Sequence, residues 1–289
     1  MPDAAHPQSV IRTPDGRQVD LKIHQCVWSG GYVPNSLPAV LDCYRAHVAR
    51  AEIDIAMLHD QDFLVVHDLD LAHATDGRGQ VDATTAGQAG KLRLLQGGHP
   101  TTEFAPLLSQ VVAAIALEPF PTLLELDLKD WKPWPWRRVE ELARLVEPIR
   151  ERVTFGGSTD TNLRRLVVVD PAIHVGYTLP DYVEWRPGDL AQTELRFEAF
   201  LEMVPTAREL HVRLEDAVQL HSDGLTDLAE RVHTRGLALD AWTIDAGTPR
   251  WLERLDSALR LCADVITTET PRELGAAAAG LLARQSQDV

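Results

Sequence analysis

Eight short apolar segments alternate with longer amphipathic segments and predict a (β/α)₈ barrel, an α/β fold of parallel strands and helices. The chain has 289 residues, a length that suits one such barrel or two ordinary domains. An open doubly wound sheet is the rival fold class, but no GxGxxG or phosphate-binding loop follows any predicted strand. The predicted strands are residues 20–25, 51–57, 122–129, 152–157, 173–178, 208–213, 236–243 and 263–267.

The other segments supply helices and one insertion. Residues 68–106 break the alternation, because DGRG, QGG and HPTTEF carry turn signals and no helical pattern. We therefore expect a single barrel domain over residues 1–289, with its core at about 20–275 and a small insertion after the second strand. Apolar residues spaced by three and four predict helices at 137–150, 161–169 and 224–235.

Composition and charge restrict the classes of function. The chain is 45% hydrophobic and 25% charged, which is typical of a globular protein with a sizeable core. Its formal net charge of −15 repels phosphate backbones, and no cluster of basic and aromatic residues offsets that charge locally. Nucleic acid is therefore excluded as the expected partner. An anionic small-molecule substrate would require a cation at the site.

Neither targeting nor membrane segments are evident in the sequence. No run approaches the 18 or so apolar residues that a transmembrane helix needs. The first residues, MPDAAHPQSVIRTPDGRQ, lack a basic region followed by an apolar core. Cys26, Cys43 and Cys262 are too few and too scattered for a disulfide framework or a zinc cluster. We therefore expect a cytoplasmic protein.

Two predicted strands carry charged side chains at alternate positions. Glu52 and Asp54 share one face of AEIDIAM, because successive side chains on a strand point to opposite faces. Glu125, Asp127 and Lys129 share a face of TLLELDLK in the same way. Active sites of (β/α)₈ barrels form at the C-terminal ends of the strands. We therefore expect these side chains to lie close together at that end.

Buried carboxylates need a compensating charge, because an unpaired buried ion is strongly destabilising. A divalent cation held by Glu52, Asp54 and Asp127 would supply that charge. Ligands that are all oxygen favour Mg²⁺ or Ca²⁺ over zinc. The alternative is a salt-bridge network in which Lys129 neutralises one acid and water solvates the others.

Two histidines follow apolar runs at expected strand ends. His24 ends the first predicted strand, and His67 ends the run FLVVH. One such histidine is usually structural, but two that converge with acids and a lysine suggest general acid–base chemistry at phosphorus. Other histidines lie in helical or strand-like segments without acidic company and are interpreted as structural or exposed: His47, His211 and His233.

Ordered motifs extend this pattern along the chain. The stretch HDLDLAHATDGRGQVDATT (67–85) follows the Glu-x-Asp strand, and PLLSQVV (106–112) comes next. The acid-x-Lys strand LDLK and the segments ALDAWTIDA and ADVITTETP complete the series. In this order the chain resembles the glycerophosphodiester phosphodiesterase family of the PLC-like phosphodiesterase superfamily, over roughly residues 20–275.

This resemblance implies a reaction and a set of site residues. The implied reaction is metal-dependent hydrolysis of glycerophosphodiesters to glycerol 3-phosphate and an alcohol, in a (β/α)₈ barrel with Mg²⁺ or Ca²⁺. By position, the resemblance implies Glu52, Asp54 and Asp127 as metal ligands. His24 and His67 are the implied catalytic residues. The residues implied to contact substrate are Gln25, Lys129 and Trp242.

Three positions differ from the usual pattern of the family. HQC (24–26) stands where His-Arg-Gly is usual, so Lys129 or an arginine from elsewhere would contact phosphate. VPNS (33–36) lacks the glutamate of the usual Pro-Glu-Asn-Thr. Asp127 replaces a glutamate, as in the related sphingomyelinase D group. A lysophospholipase D of that type is therefore the closest alternative.

Two further classes of function remain open at this stage. A relative that binds a phosphodiester without cleaving it is suggested by the missing arginine and glutamate. A barrel glycosidase would use Glu52 or Glu125 with Asp127 as paired carboxylates. The glycosidase reading leaves the two histidines and the lysine without a role.

The alcohol part of the substrate depends on loops. Loops 26–34, 130–136 and 178–190 are expected to shape its binding site. The sequence specifies neither the alcohol nor the oligomeric state. Three tryptophans beyond the Lys129 strand either line a pocket for a choline-like cation or anchor the following helix: Trp131, Trp134 and Trp136.

Overall fold

The computed structural model describes residues 5–157, 159–180 and 190–285. The fold is a (β/α)₈ barrel, in which eight parallel strands alternate with helices along the chain. All eight predicted strands are confirmed. The strands are β1 (Val10–Arg12), β2 (Gln18–Ile23), β3 (Arg50–Met57), β4 (Phe63–Val65), β5 (Arg93–Gln96), β6 (His99–Phe104), β7 (Leu123–Leu128), β8 (Val153–Gly157), β9 (His174–Thr178), β10 (Ala207–Arg213), β11 (Ala238–Trp242) and β12 (Val265–Thr268).

Helices occupy the predicted segments between these strands. The segment 137–150 continues from its helix into a 3₁₀ turn at Glu147–Arg152. The helix predicted at 224–235 is shorter, because residues 223–227 form turns first. The helices are α1 (Leu37–Arg45), α2 (Leu71–Ala74), α3 (Ala86–Ala89), α4 (Leu108–Ile115), α5 (Trp136–Val146), α6 (Asp160–Val169), α7 (Leu190–Met203), α8 (Leu214–Ser222), α9 (Leu228–His233), α10 (Trp251–Arg260) and α11 (Pro271–Gln285).

The chain forms two compact units, of which the first comprises Met1–His6 and Ile23–His174. Its strands lie in the order β4-β3-β7-β8, and β3, β7 and β8 are parallel. The register sets Asp54 beside Asp127. The intervening side chains, such as Ile53, are fully buried. Alternation and register together therefore bring the acidic residues of two strands into one row.

The predicted insertion, residues 68–106, contains more regular structure than expected. It holds the single-turn helices α2 and α3 and an antiparallel hairpin of β5 and β6. Gly97 and Gly98 have φ angles of 57° and 78° and form the two-residue turn between these strands. That pair of glycines between two short strands was the sequence signal for the hairpin. Buried side chains such as Leu71 and Leu94 pack it into an apolar cluster.

Helix α1 begins beside the residues that support the acidic row. The side-chain oxygen of Ser36 accepts a hydrogen bond from the backbone N–H of Ala39 at 3.2 Å, which caps the helix. Pro38 lies in the first turn, where its missing N–H costs no helical hydrogen bond.

Ser36→Ala is expected to lower the free energy of unfolding by about 1 kcal/mol, because it removes a buried helix cap. Urea denaturation followed by circular dichroism measures this change. The matched control is Ser222→Ala at an exposed position, with an expected change within about 0.5 kcal/mol. Equal losses in the two variants would contradict the capping role.

The second unit comprises Pro7–Lys22 and Val175–Val289, with strands in the order β1-β2-β12-β11-β10-β9. Its interior holds a buried charge network that was not predicted. Lys22 Nζ lies 3.1 Å from Glu209 Oε1 and 2.6 Å from Asp240 Oδ2. His211 Nε2 lies 3.1 Å from Glu209 Oε1 in this network. At the surface of the same unit, His233 Nε2 lies 2.7 Å from Asp264 Oδ2.

The expectation that His211 and His233 have no acidic residues nearby is therefore wrong. Glu209 and His211 are two residues apart on β10, and this alternation was the available signal. Asp264 is distant in sequence from His233, so only the fold brings them together.

Candidate active site

Three carboxylates lie close together on β3 and β7 of the first unit. One oxygen each from Glu52, Asp54 and Asp127 lies within 4.8 Å of the other two. Glu52 and Asp54 are buried, whereas Asp127 is partly exposed. Three carboxylate oxygens at this separation could ligate a single hard cation such as Mg²⁺ or Ca²⁺.

Lys129 bridges two of these carboxylates. Its Nζ lies 2.7 Å from Asp54 Oδ1 and 2.6 Å from Asp127 Oδ2. Burial acts to lower the pKa of Lys129, but the two carboxylates outweigh burial and raise it above its usual value. Conversely, burial acts to raise the pKa of Asp54, while Lys129 and Asn35 bring it below its usual value. Both groups are therefore charged at neutral pH, and the predicted alternative of a salt bridge is present for two of the three acids.

Glu52 is the least compensated of the three acids. Its Oε2 accepts a hydrogen bond from the backbone N–H of Gln25 at 2.8 Å. Its Oε1 is buried and has no hydrogen-bond partner among the described residues. Burial, followed by the charges of Asp54 and Asp127, raises the pKa of Glu52 well above its usual value. A buried oxygen in this condition fits a cation ligand, so the residues present match the metal that the sequence pattern implied.

A tight turn after β2 supplies two hydrogen bonds to the acids. Gln25 and Cys26 have φ angles of 48° and 56°, in the left-handed region that non-glycine residues seldom adopt. The turn directs the backbone N–H of Gln25 to Glu52. The side-chain amide of Gln25 donates to Asp54 Oδ2 at 2.9 Å. Contact of Gln25 with substrate stays a prediction, because this amide already has a carboxylate partner.

Asn35 is a site residue that the sequence interpretation did not assign. Its Nδ2 donates to Asp54 Oδ2 at 2.6 Å, and its Oδ1 accepts from the backbone N–H of Asp54 at 3.1 Å. These two bonds fix the orientation of the Asp54 carboxylate. The only sequence signal was the VPNS segment, since the loop that carries Asn35 is not periodic.

Both predicted catalytic histidines belong to the first unit, at different distances from the acids. His24 Nε2 lies 3.9 Å from Glu52 Oε2, with 26% of its side chain exposed. His67 is 51% exposed, and its Nδ1 lies 3.6 Å from Asp68 Oδ1. His73 Nδ1 lies 3.8 Å from the same Asp68 oxygen. Asp68 and His73 were not predicted as site residues.

A cavity of about 290 Å³ is lined by His67, Asp68 and His73. Gln25 and Asn35, which both bind Asp54, lie on its wall together with His67. Side chains from the insertion, including His73 and Leu94, form the rest of the wall. The cavity is therefore bounded by two histidines and by two residues in direct contact with the acidic cluster.

The predicted tryptophans occupy different environments. Trp242 is the last residue of β11, in the second unit, and is partly exposed. Trp134 is buried and packs against Phe63 with ring centroids 5.2 Å apart, as the anchoring interpretation expects. Trp131 is 73% exposed and Trp136 is 48% exposed. In the predicted loop 178–190, residues 181–189 lie outside the described residues.

None of the helices in the described residues combines the length and the apolar character that crossing a bilayer requires.

Comparison with known structures gives the same fold. A glycerophosphodiester phosphodiesterase from Parabacteroides distasonis is 17% identical, with a TM-score of 0.66 over 92% of this chain and 97% of that one. One from Agrobacterium tumefaciens is 15% identical, with a TM-score of 0.66 over 89% and 99%. A phosphodiesterase from Oleispira antarctica, solved with the product sn-glycerol-3-phosphate, is 20% identical, with a TM-score of 0.65 over 89% and 95%.

Sequence comparison adds the family. No curated protein matches the chain. The model of the Glycerophosphoryl diester phosphodiesterase family matches residues 29–273, which is most of the chain. This range contains the acid-x-acid pair on β3, the acid-x-Lys pair at the end of β7, and His67. The chain is therefore a phosphodiesterase that belongs to the glycerophosphoryl diester phosphodiesterase family.

Proposed function

We propose that this protein hydrolyses glycerophosphodiesters to glycerol 3-phosphate and an alcohol, with a divalent cation held by Glu52, Asp54 and Asp127. The observation that carries the proposal is the close approach of these three carboxylates next to a cavity that His67 lines. Gln25 and Asn35 connect the two features, because both line the cavity and both donate to Asp54.

The donor set supports Mg²⁺ or Ca²⁺ as the cation. All three side chains offer carboxylate oxygens, which hard cations prefer. A bound cation would polarise a phosphate oxygen and neutralise developing negative charge. It would also give Glu52 Oε1 a partner, which the described part of the chain does not supply.

Lys129 has two tasks in this proposal. Its ammonium orients Asp54 and Asp127 through the two short ion pairs. Its positive charge would also attract the phosphate, because Gln25 stands where the family usually carries an arginine. The raised pKa keeps this charge in place across the physiological range.

His24 and His67 are proposed to move the protons. One imidazole would take the proton from the attacking hydroxyl, which belongs either to water or to the glycerol carbon next to the phosphate ester. Attack by water would give glycerol 3-phosphate directly, whereas attack by the glycerol hydroxyl would give a cyclic phosphate that water must then open. The other imidazole gives a proton to the departing alcohol oxygen. His24 stands near Glu52 at 3.9 Å, whereas His67 stands near Asp68 at 3.6 Å. These different partners support different roles, and the assignment of acid and base depends on the side from which the alcohol leaves.

Cavity size supports a substrate of glycerol phosphate dimensions. At roughly 30 Å³ per water molecule, 290 Å³ holds about ten waters, which is close to the ten or so heavy atoms of glycerol 3-phosphate. We further propose Trp242 as a substrate contact, a role that depends on the family pattern. The family match sets the glycosidase alternative aside.

The proposed compartment is the cytoplasm, and the proposed role lies in glycerol and lipid metabolism. The proposed domain organisation is a single barrel domain over residues 1–289 with the insertion at 68–106. Cys26, Cys43 and Cys262 are all free thiols, which supports a reducing compartment. A strongly negative net charge supports small molecules over nucleic acid as partners.

The test of the proposal is cleavage of glycerophosphocholine, glycerophosphoethanolamine and lysophosphatidylcholine with and without EDTA. We expect release of glycerol 3-phosphate that stops in EDTA and returns with added Mg²⁺ or Ca²⁺. Full turnover in EDTA would reject the metal, and no turnover of any diester with metal added would reject the reaction.

A second candidate is the lysophospholipase D reaction of the sphingomyelinase D type. Asp127 in the acid-x-Lys strand favours it, because that group also carries aspartate there. The same panel distinguishes the two, since a cyclic phosphate from the lysolipid is the product expected only from this candidate.

A further inference from the structure

A second, smaller cavity lies in the first unit, outside the acidic cluster. Its volume is about 130 Å³. It is bounded on one side by the insertion and on the other by the loop that follows β7. The lining residues are Leu69, Gln80, Asp82, Asp130, Trp131 and Lys132. We call it the Trp131 cavity.

Trp131 is the unusual feature of this cavity. A tryptophan on a strand-end loop is expected to pack into the protein, as Trp134 does three residues later. Trp131 instead leaves 73% of its surface exposed while lining a cavity. An exposed indole face on a cavity wall is a favourable surface for an organic cation.

The charges around the cavity also favour a cation. Asp82 and Asp130 contribute two carboxylates and Lys132 one ammonium, which leaves a formal charge of −1. The pKa of Asp130 is raised by burial and, to a smaller extent, by the negative charge of Asp82 on the same cavity. The two carboxylates therefore repel each other. A positive group between them would relieve that repulsion.

The cavity lies next to the proposed phosphate site along the chain. Asp130 directly follows Lys129, which binds Asp54 and Asp127. Asp130 Oδ2 also accepts a hydrogen bond at 2.9 Å from the backbone N–H of Met57, the last residue of β3. The Trp131 cavity and the acidic cluster therefore use the ends of the same two strands.

Size restricts the group that the cavity can accept. At roughly 30 Å³ per water molecule, 130 Å³ corresponds to about four waters. A trimethylammonium group has four heavy atoms and an aminoethyl group has three, so both fit, whereas a sugar, an inositol ring or an acyl chain is too large.

We propose that the Trp131 cavity binds the alcohol part of the substrate and selects alcohols that carry a small ammonium group. This inference rests on the proposed phosphodiesterase function and names the substrate class within it. Trp131 supplies the aromatic face, and Asp82 and Asp130 supply the negative charge.

The test compares kcat/KM for two glycerophosphodiesters of equal shape, one with a choline alcohol and one with 3,3-dimethylbutanol, in which carbon replaces nitrogen. A partly exposed cation–aromatic contact predicts a preference of about twofold to thirtyfold for the choline ester. Trp131→Ala and Asp82→Asn are each expected to reduce this preference, and Trp131→Phe to keep part of it. Trp136→Ala is the control, since it removes an exposed tryptophan at the start of α5 that does not line the cavity.

A binding measurement separates failure of this inference from failure of the proposed reaction. Ligand-observed NMR with choline chloride and the full chain reports binding without turnover. Choline binding that is lost in Trp131→Ala would support the cavity even if no diester were cleaved. Cleavage of both esters at equal kcat/KM, or choline binding that Trp131→Ala and Asp82→Asn leave unchanged, would overturn the inference while the proposed reaction stands.

Discussion

His67→Ala is expected to lower kcat/KM for glycerophosphodiesters by about two to four orders of magnitude. The imidazole of His67 lines the cavity next to the acidic cluster. In the proposed mechanism it exchanges a proton with the attacking or the departing oxygen. Its side chain is 51% exposed, so the substitution removes little packing. Steady-state assays of glycerol 3-phosphate release measure the loss, and circular dichroism shows whether the fold persists.

The control for this prediction is His99→Ala. His99 is an exposed histidine on the hairpin of the insertion, so its loss leaves the cavity intact. We expect kcat/KM of that variant to stay within about twofold of wild type, because exposed substitutions seldom disturb a distant site. Added imidazole is expected to restore part of the activity of His67→Ala and to leave the activity of His99→Ala unchanged. An unchanged rate in His67→Ala would remove His67 from the mechanism.

The barrel strands were predictable because their signal is strong and local. Alternation in AEIDIAM and LLELDL gives both the strand and the face of each acid. Parallel register then places Asp54 beside Asp127, as the (β/α)₈ interpretation requires. The clustering of the three carboxylates was therefore recognisable from the sequence period, and their role as metal ligands stays a prediction.

Residues on loops were harder to assign, because no period constrains a loop. Gln25 was interpreted as a substrate contact, which stays a prediction, and the hydrogen bond that its amide donates to Asp54 was not foreseen. Asn35 was not assigned at all, although it makes two hydrogen bonds with Asp54. Trp131 and Trp134 are three residues apart in one loop, yet only one is buried. Their environments follow from backbone geometry after β7, which the sequence does not encode in a readable pattern.

Glu52→Gln is expected to weaken Mg²⁺ or Ca²⁺ binding by at least about 100-fold, since changes to residues that merely support metal ligands already cost 10–100-fold. Glutamine keeps the length of the side chain and can still accept the hydrogen bond from the Gln25 N–H. It removes the negative charge that a cation ligand supplies. Isothermal titration calorimetry measures the affinity, and turnover is expected to fall with it.

Glu140→Gln serves as the matched control, because it removes the same charge from an exposed position on α5. Its affinity for the cation is expected to match that of the wild type. Equal affinity of Glu52→Gln and Glu140→Gln would contradict the assignment of Glu52 as a ligand.

The same substitution is expected to have the opposite effect on stability once the cation is removed. Burial and the charges of Asp54 and Asp127 raise the pKa of Glu52 in the folded chain, so folding retains a proton that the unfolded chain releases. The free energy of unfolding of the metal-free wild type therefore falls as pH rises above the usual pKa of glutamate. Glutamine has no such proton, so the free energy of unfolding of Glu52→Gln does not decrease with pH for this reason.

In EDTA at neutral pH, thermal melts should therefore find Glu52→Gln more stable than the wild type, by a margin that shrinks towards acidic pH. A saturating cation binds the folded wild type more tightly than the variant, which adds stability to the wild type and reverses the order. If Glu52 served to stabilise the fold, Glu52→Gln would be less stable than the wild type both in EDTA and with the cation present. The reversal is the expected signature of carboxylates that destabilise the metal-free fold because they are positioned to hold a cation.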